Sequence, residues 1–143
     1  MMELSFLGLS LADSKRVVEV ASGNIVPAWS QNDYEHFLAS PSAVCVGAFS
    51  CGEMKAFFLG LLSGEDLDVV AIATDKKEQG KGIASKLLEE VLKSPGILRA
   101  TLEVDPGNEP AVKLYLSKGF SVVGLRKKYY EGKRDAWLMK WER

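Results

Sequence analysis

The run Gln79-Gly80-Lys81-Gly82-Ile83-Ala84 sets two glycines and a lysine at the mouth of an amphipathic stretch that continues to Lys93. Glycine loses more backbone freedom on folding than any other residue, so its use here implies a need for bare backbone at close range. A glycine turn entering a helix presents unpaired N–H groups and the positive end of the helix dipole. Phosphate groups bind at such places. Two familiar anion loops do not fit. A Walker A loop ends in Gly-Lys-Ser/Thr after a glycine and four residues, and the chain has no such run. A dinucleotide fingerprint needs a third glycine where Ser85 stands, and a strand that opens a doubly wound sheet.

The elements around this loop argue against a doubly wound sheet. "ELSFLGLS" alternates loosely as a first strand, and "ADSKRVVEVASG", Ala12 to Gly23, has a helical pattern with a glycine stop. "SQNDYEHFLAS" opens with Ser30 as N-cap of a second helix. "AVCVGAF" and "MKAFFLGLL" flank the turn "SCGE" as a hairpin, and "DLDVVAIAT" follows as a third consecutive strand. The loop then leads into a helix with Ile83, Leu87, Leu88, Val91 and Leu92 on one side. "ILRATLEV" is a buried strand, "NEPAVKLYLSKGF" a helix capped by Asn108 and stopped at Gly119, and "FSVVGLRKKYY" and "RDAWLMKWE" two long strands. The strands ending near Thr74 and Val104 flank a crossover helix and should run parallel. The expected fold is a mixed, mostly antiparallel α/β (α+β) sheet of about seven strands with helices on both faces.

Composition sets the frame. The 143 residues suit one domain, 1–143, with a real core. Hydrophobic residues at 47% and charged residues at 26% fit a globular chain without a membrane span. "MMELSFLGLSLADSK" lacks the basic opening and apolar block of a secretory signal. Cys45 and Cys51 have no partners at metal-ligand spacing and read as free thiols in a reducing compartment, the cytoplasm. From Pro106 onward nine Lys/Arg stand against four Asp/Glu, concentrated in "RKKYYEGKR". That cluster could face an anionic ligand or form a solvated hairpin rim; it is not basic enough to argue for nucleic acid.

Gln79 to Ala84 matches, residue for residue, the Q/R-x-x-G-x-G/A pattern of the GNAT N-acetyltransferases, which cradles a coenzyme A pyrophosphate. "NEPAVKLYLSKGF" resembles that family's second acyl-donor element. The resemblance narrows to the RimI-type ribosomal-protein-alanine N-acetyltransferases through "PAWS", "IATD", "QGKGIASKLL", "LEV", "LY", "GF" and "RKKYY…DAWLMKW" in order, from about Pro27 to Trp141. Two places depart from it: Ala28 stands before Trp29 where the group has Pro-Trp-Ser, and Asp105-Pro106-Gly107 stand where an arginine is common. The resemblance implies a GNAT-like domain using acetyl-CoA and no metal. The acceptor it implies is a protein N-terminal amine, that of a ribosomal protein starting with alanine, with no nucleic-acid or membrane partner. Two other readings keep part of this: a small amine or lysine side chain as acceptor, or a non-catalytic acyl-CoA-binding module.

Such a transfer needs a neutral amine and a protonated leaving thiol. An α-amino group with a pKa of ~7.7–8.0 is roughly one-tenth neutral at pH 7, so a modest base suffices. In "LRATLEV" the residues Leu98, Ala100, Leu102 and Val104 alternate inward, which turns Glu103 to the other face. By itself Glu103 reads equally as a surface carboxylate; the resemblance makes it the general base, acting through water. Tyr115 lies two helical turns from Asn108 and shares its face. It could pack under Phe120, and the resemblance makes it the general acid. The resemblance also implies that Ile72, Ala73 and Thr74 pair with the pantetheine amides, with Asn108 as a further donor. Trp29, Tyr129 and Tyr130 would border the acceptor, or serve as rim packing. Lone His36 reads as structural.

Overall fold

A computed structural model describes residues 2–25, 28–130 and 134–143. Seven strands form one sheet: β1 (Ser5–Gly8), β2 (Ala43–Ser50), β3 (Glu53–Ser63), β4 (Asp66–Thr74), β5 (Arg99–Val104), β6 (Ser121–Tyr130) and β7 (Arg134–Glu142). Four α-helices accompany them: α1 (Ser14–Ala21), α2 (Gln31–Ala39), α3 (Ile83–Leu92) and α4 (Glu109–Ser117). The element order is the expected one. The first helical stretch differs in detail. Ser10 caps a 3₁₀ turn over Leu11–Asp13, and α1 begins only at Ser14. Ser30 closes a capping box with Asp33 at the start of α2, and Asn108 accepts the Ala111 N–H at the start of α4.

The strand order is β1-β2-β3-β4-β5-β7-β6, so the last hairpin inserts β7 beside β5 and leaves β6 at the edge. All neighbours are antiparallel except β4 and β5. That parallel pairing is short, joining only Asp66, Leu67 and Asp68 to Arg99, Ala100 and Thr101. Beyond Thr101 the two strands part, and each continues without the other: the sheet forks.

A bulge lies on β4 just past its last pairing with β5, at the start of the fork. Leu59 faces Ala71 and Gly60 faces Val69, which leaves Val70 as the extra residue. Gly60 suits this crowded point because a Cβ there would come within 3.0 Å of the Asp68 carbonyl and closer still to the Phe58 ring. The extra residue flips the alternation of β4. Leu67 and Val69 face a core under α3 and α4, with Leu87, Leu88, Phe58, Leu102 and Met139. Ala71 and Ala73 face a second core under α1 and α2, with Val17, Val20, Tyr34, Leu38 and Phe57. Helices therefore cover both faces. Burial of these side chains, at ~25 cal/mol per Å² of apolar surface, holds the two strand ends apart in fixed positions.

Candidate active site

The glycine loop is braced by charge and left bare at its exit. Arg16 on α1 donates to the Met54 carbonyl (2.8 Å) and pairs with Asp75 (2.9 Å), which in turn accepts the Lys77 N–H at 3.0 Å. That N–H, then Arg16, holds the Asp75 carboxyl below the usual carboxylate range. Glu78 sits between Lys55 (3.4 Å) and Lys81 (2.8 Å), and the Lys81 bond first of all lowers its pKa. At the exit, Gly80 (φ 81°) and Gly82 (φ 78°) both take left-handed conformations that side chains resist. Gly82 is the N-cap of α3, with no side-chain cap hydrogen bond. Nothing stands within 4 Å of a Cβ built on either glycine. The result is a helix start open to an anion.

The fork lies beside the head of the same crossover, between the C-terminal ends of β4 and β5. Glu103 is two residues past the last parallel pair, on the face opposite Ala100, Leu102 and Val104, as the alternation predicts. Its Oε1 pairs with Arg126 at 2.9 Å, and its Oε2 is enclosed without a hydrogen-bond partner among the described residues. Arg126 comes from β6, across β7. Asp68 borders the fork from β4, and its carboxyl is pushed up by partial loss of solvent and then by the charge of Glu103. A row of register partners, Leu61, Asp68, Thr101 and Lys140, runs across this face. At its Leu61 end the row meets an open cavity of about 500 Å³, also lined by Trp29, Asp33, His36, Phe37 and Ser40. A carboxylate beside a gap in the sheet, reached along a groove, can take a proton from a group placed in that gap.

Comparison with known proteins decides the family. The acetyltransferase (GNAT) family model matches residues 11–120. The chain belongs to the GNAT acetyltransferase family. It is 34% identical over 139 residues to the N-alpha-acetyltransferase RimI of Mycobacterium tuberculosis, covering 92% of this chain and 88% of that one. It is 33% identical over 94 residues to the [ribosomal protein bS18]-alanine N-acetyltransferase of Escherichia coli K12, 62% of this chain and 64% of that relative. The crystal structure of the ribosomal-protein-S18-alanine N-acetyltransferase from Escherichia coli superimposes with a TM-score of 0.89 at 24% identity, over 98% of this chain and 94% of that one. The chain is thus a GNAT enzyme, and the family uses acetyl-CoA.

Within this GNAT domain the residues expected to hold the acyl donor come together. Gln79 to Ala84 and Ile72 to Thr74 lie together at the head of the crossover. Asp75 N–H donates to the Lys55 carbonyl (2.8 Å), so antiparallel alternation turns the Ala73 main-chain groups toward β3. Those of Ile72 and Thr74 then face the fork. The Lys81 ammonium is engaged by Glu78, and the Gln79 side chain is turned inward: its Nε2 donates to Asn24 Oδ1 (2.9 Å) and to the Thr74 carbonyl (3.2 Å). Asn108 spends its Oδ1 on the cap. Tyr115 is 7% exposed with its ring 5.6 Å from that of Phe120, so it packs in the α3/α4 core as well as standing on the helix that leaves the fork.

Trp29 packs at a tilt against Tyr34 and Phe37, with ring centroids 4.9 Å and 5.8 Å away, and lines the groove. His36 lines it too, a place that its reading as a structural residue had not anticipated. The side chains of Tyr129 and Tyr130, at the end of β6, lie outside the described residues, as does Pro27 of "PAWS". Arg126, Asp68 and Asn24 were missed from sequence. The charge run "RKK" pointed to a basic cluster but not to the carboxylate that its first member meets. Among the described residues, no group of three His, Cys, Asp or Glu could hold a metal ion, and no helix is long and apolar enough to cross a membrane.

Proposed function

We propose that residues 1–143 act as one catalytic domain that transfers the acetyl group of acetyl-CoA to the α-amine of a protein N-terminus, with Glu103 as general base and Tyr115 as general acid. The observation that carries this reading is the fork: Glu103 stands beside it with one oxygen enclosed and without a hydrogen-bond partner among the described residues, while α3 begins uncapped at the head of the same crossover. The residues present fit the donor. Bare N–H groups at Gly82 and the first turn of α3, with open space above both glycines, would hold a diphosphate. Main-chain groups of Ile72 and Thr74 would pair with the pantetheine amides as an added strand. Asn108 keeps its amide nitrogen for the same arm. Bound there, acetyl-CoA supplies an activated thioester.

Glu103 then takes the proton of the incoming amine, directly or through one water. Arg126 holds the carboxylate's other oxygen and so fixes its direction. Tyr115 on α4 gives its phenolic proton to the departing thiolate. The groove that begins at Trp29 and the row from Leu61 to Asp68 lead to Glu103 along one face, which suits an extended peptide more than a small molecule. The names of the relatives from Mycobacterium tuberculosis and Escherichia coli support an N-terminal acceptor, a ribosomal protein beginning with alanine, and thus a cytoplasmic setting. Incubation with acetyl-CoA and peptides beginning Ala-, Ser- or Met-, followed by thiol release, tests it. The Ala- peptide should exceed background. Turnover of a polyamine or lysine substrate without any peptide would transfer the enzyme to a small amine or side-chain acceptor, and binding without turnover would make it an acyl-CoA-binding module.

A further inference from the structure

We propose that Asn24 is a positioning residue for acyl-donor binding, a clip that joins the end of α1, the last residue of β4 and the first residue of the glycine loop. The proposal rests on the reading of that loop as the acetyl-CoA site. Asn24 lies far upstream of the loop, in the turn after α1, and nothing in the glycine pattern points to it. Its Nδ2 donates to the Val20 carbonyl (2.8 Å) and to the Thr74 carbonyl (3.0 Å), and its Oδ1 accepts from Gln79 Nε2 (2.9 Å). Both amide protons and the carbonyl are therefore used. The turn is pressed onto the loop: Lys76 Nζ passes 2.6 Å from where a Cβ on Gly23 would stand.

Two consequences follow for the donor. First, the Thr74 carbonyl accepts from both Asn24 and Gln79, which uses both of its lone pairs. The main-chain groups left for the pantetheine amides are then the N–H and C=O of Ile72 and the N–H of Thr74. Second, the Gln79 side chain braces the protein, so only its main chain can meet the diphosphate. Gln79, the first residue of the pattern, thus acts by setting the angle at which Gly80 to Gly82 leave β4, and Asn24 holds it there.

Calorimetric titration of acetyl-CoA into the whole chain, beside peptide kinetics, tests the clip in wild type, Asn24→Ala, Gln79→Ala and the double variant. Loss of one such hydrogen bond corresponds to roughly a fivefold change. Each single variant should weaken acetyl-CoA by about five- to tenfold, with the KM for peptide within about twofold of wild type. The double variant should fall well short of the product of the two losses, because both break one clip. Asn24→Asp keeps the acceptor for Gln79 but turns a carboxylate oxygen toward the Val20 and Thr74 carbonyls, and should weaken acetyl-CoA at least as much as Asn24→Ala. Gln79→Ala, which leaves the α1 and β4 bonds of Asn24 in place, serves if the Asn24 variants do not fold. Wild-type affinity in the single variants, losses that multiply in the double, or an equal rise in peptide KM would overturn the proposal while leaving the acetyl-CoA reading in place. No heat with the wild-type chain would remove that reading and the clip with it.

Discussion

The role proposed for Glu103 rests on its neighbours. Arg126 engages Oε1 while Oε2 is enclosed beside the fork, so the carboxylate is both aimed and available. Its face was legible because Ala100, Leu102 and Val104 alternate cleanly with polar residues. Arg126 was not, because its meeting with Glu103 depends on β7 lying between the two strands and on a register shift in β6. Tyr115 combines packing with its proposed chemistry. Tyr115→Phe keeps the ring against Phe120 and removes the phenol, so kcat should fall by about a hundredfold while acetyl-CoA affinity holds. An unchanged kcat would return Tyr115 to the core alone. The two cysteines give a check on burial. Cys45 faces the α1/α2 core and is pushed up to about 11 by burial, whereas Cys51 sits exposed in the hairpin turn. With a disulfide reagent at pH 8, one thiol per native chain should react quickly and the second only on unfolding.

At the level of elements, the site is the meeting of a loop, a fork and a helix start. The hairpin turn at Cys51-Gly52, with φ of 53° and 75°, and the capped helices were all legible from local chemistry. The bulge at Val70 was not: "VVAIA" is apolar in either phase, so nothing in it marks where the alternation flips. That flip separates the two cores and comes just past the last pairing of β4 with β5. Asn24 was hidden for a different reason, since "SGN" reads as a helix stop and its partners are fifty residues away. The loop itself can be probed by Gly82→Ala. Nothing would collide with the added methyl, so the cost is the left-handed backbone alone, about 1–2 kcal/mol. The melting temperature should drop by about 2–8 °C, and acetyl-CoA should bind more weakly. Unchanged values for both would show that the left-handed turn is not needed.

Across the whole molecule, charge ties stability to pH. The carboxyls of Asp33, Asp75 and Glu78 are all held low, chiefly by the Ser30 N–H, the Lys77 N–H and the Lys81 ammonium respectively. A carboxylate whose pKa is lower folded than unfolded stabilises above its unfolded pKa and loses that contribution as pH falls through the folded value. Asp68 runs the other way, since its raised pKa favours folding more as it protonates. Three groups outweigh one, so denaturant midpoints should stay level from pH 7 to about 5 and fall below about pH 4. Asp75→Asn should flatten that fall; a midpoint that rises on acidification would contradict it. The account as a whole turns on Glu103 receiving the proton of an N-terminal amine. The direct measurement is the pH dependence of kcat/KM for acetylation of an alanine-starting peptide, in wild type and Glu103→Gln. The wild type should acetylate the peptide with a rate that falls on the acid side, and Glu103→Gln should lose at least about a hundredfold and show a changed acid limb. A Glu103→Gln enzyme with the wild-type rate and profile would contradict the account.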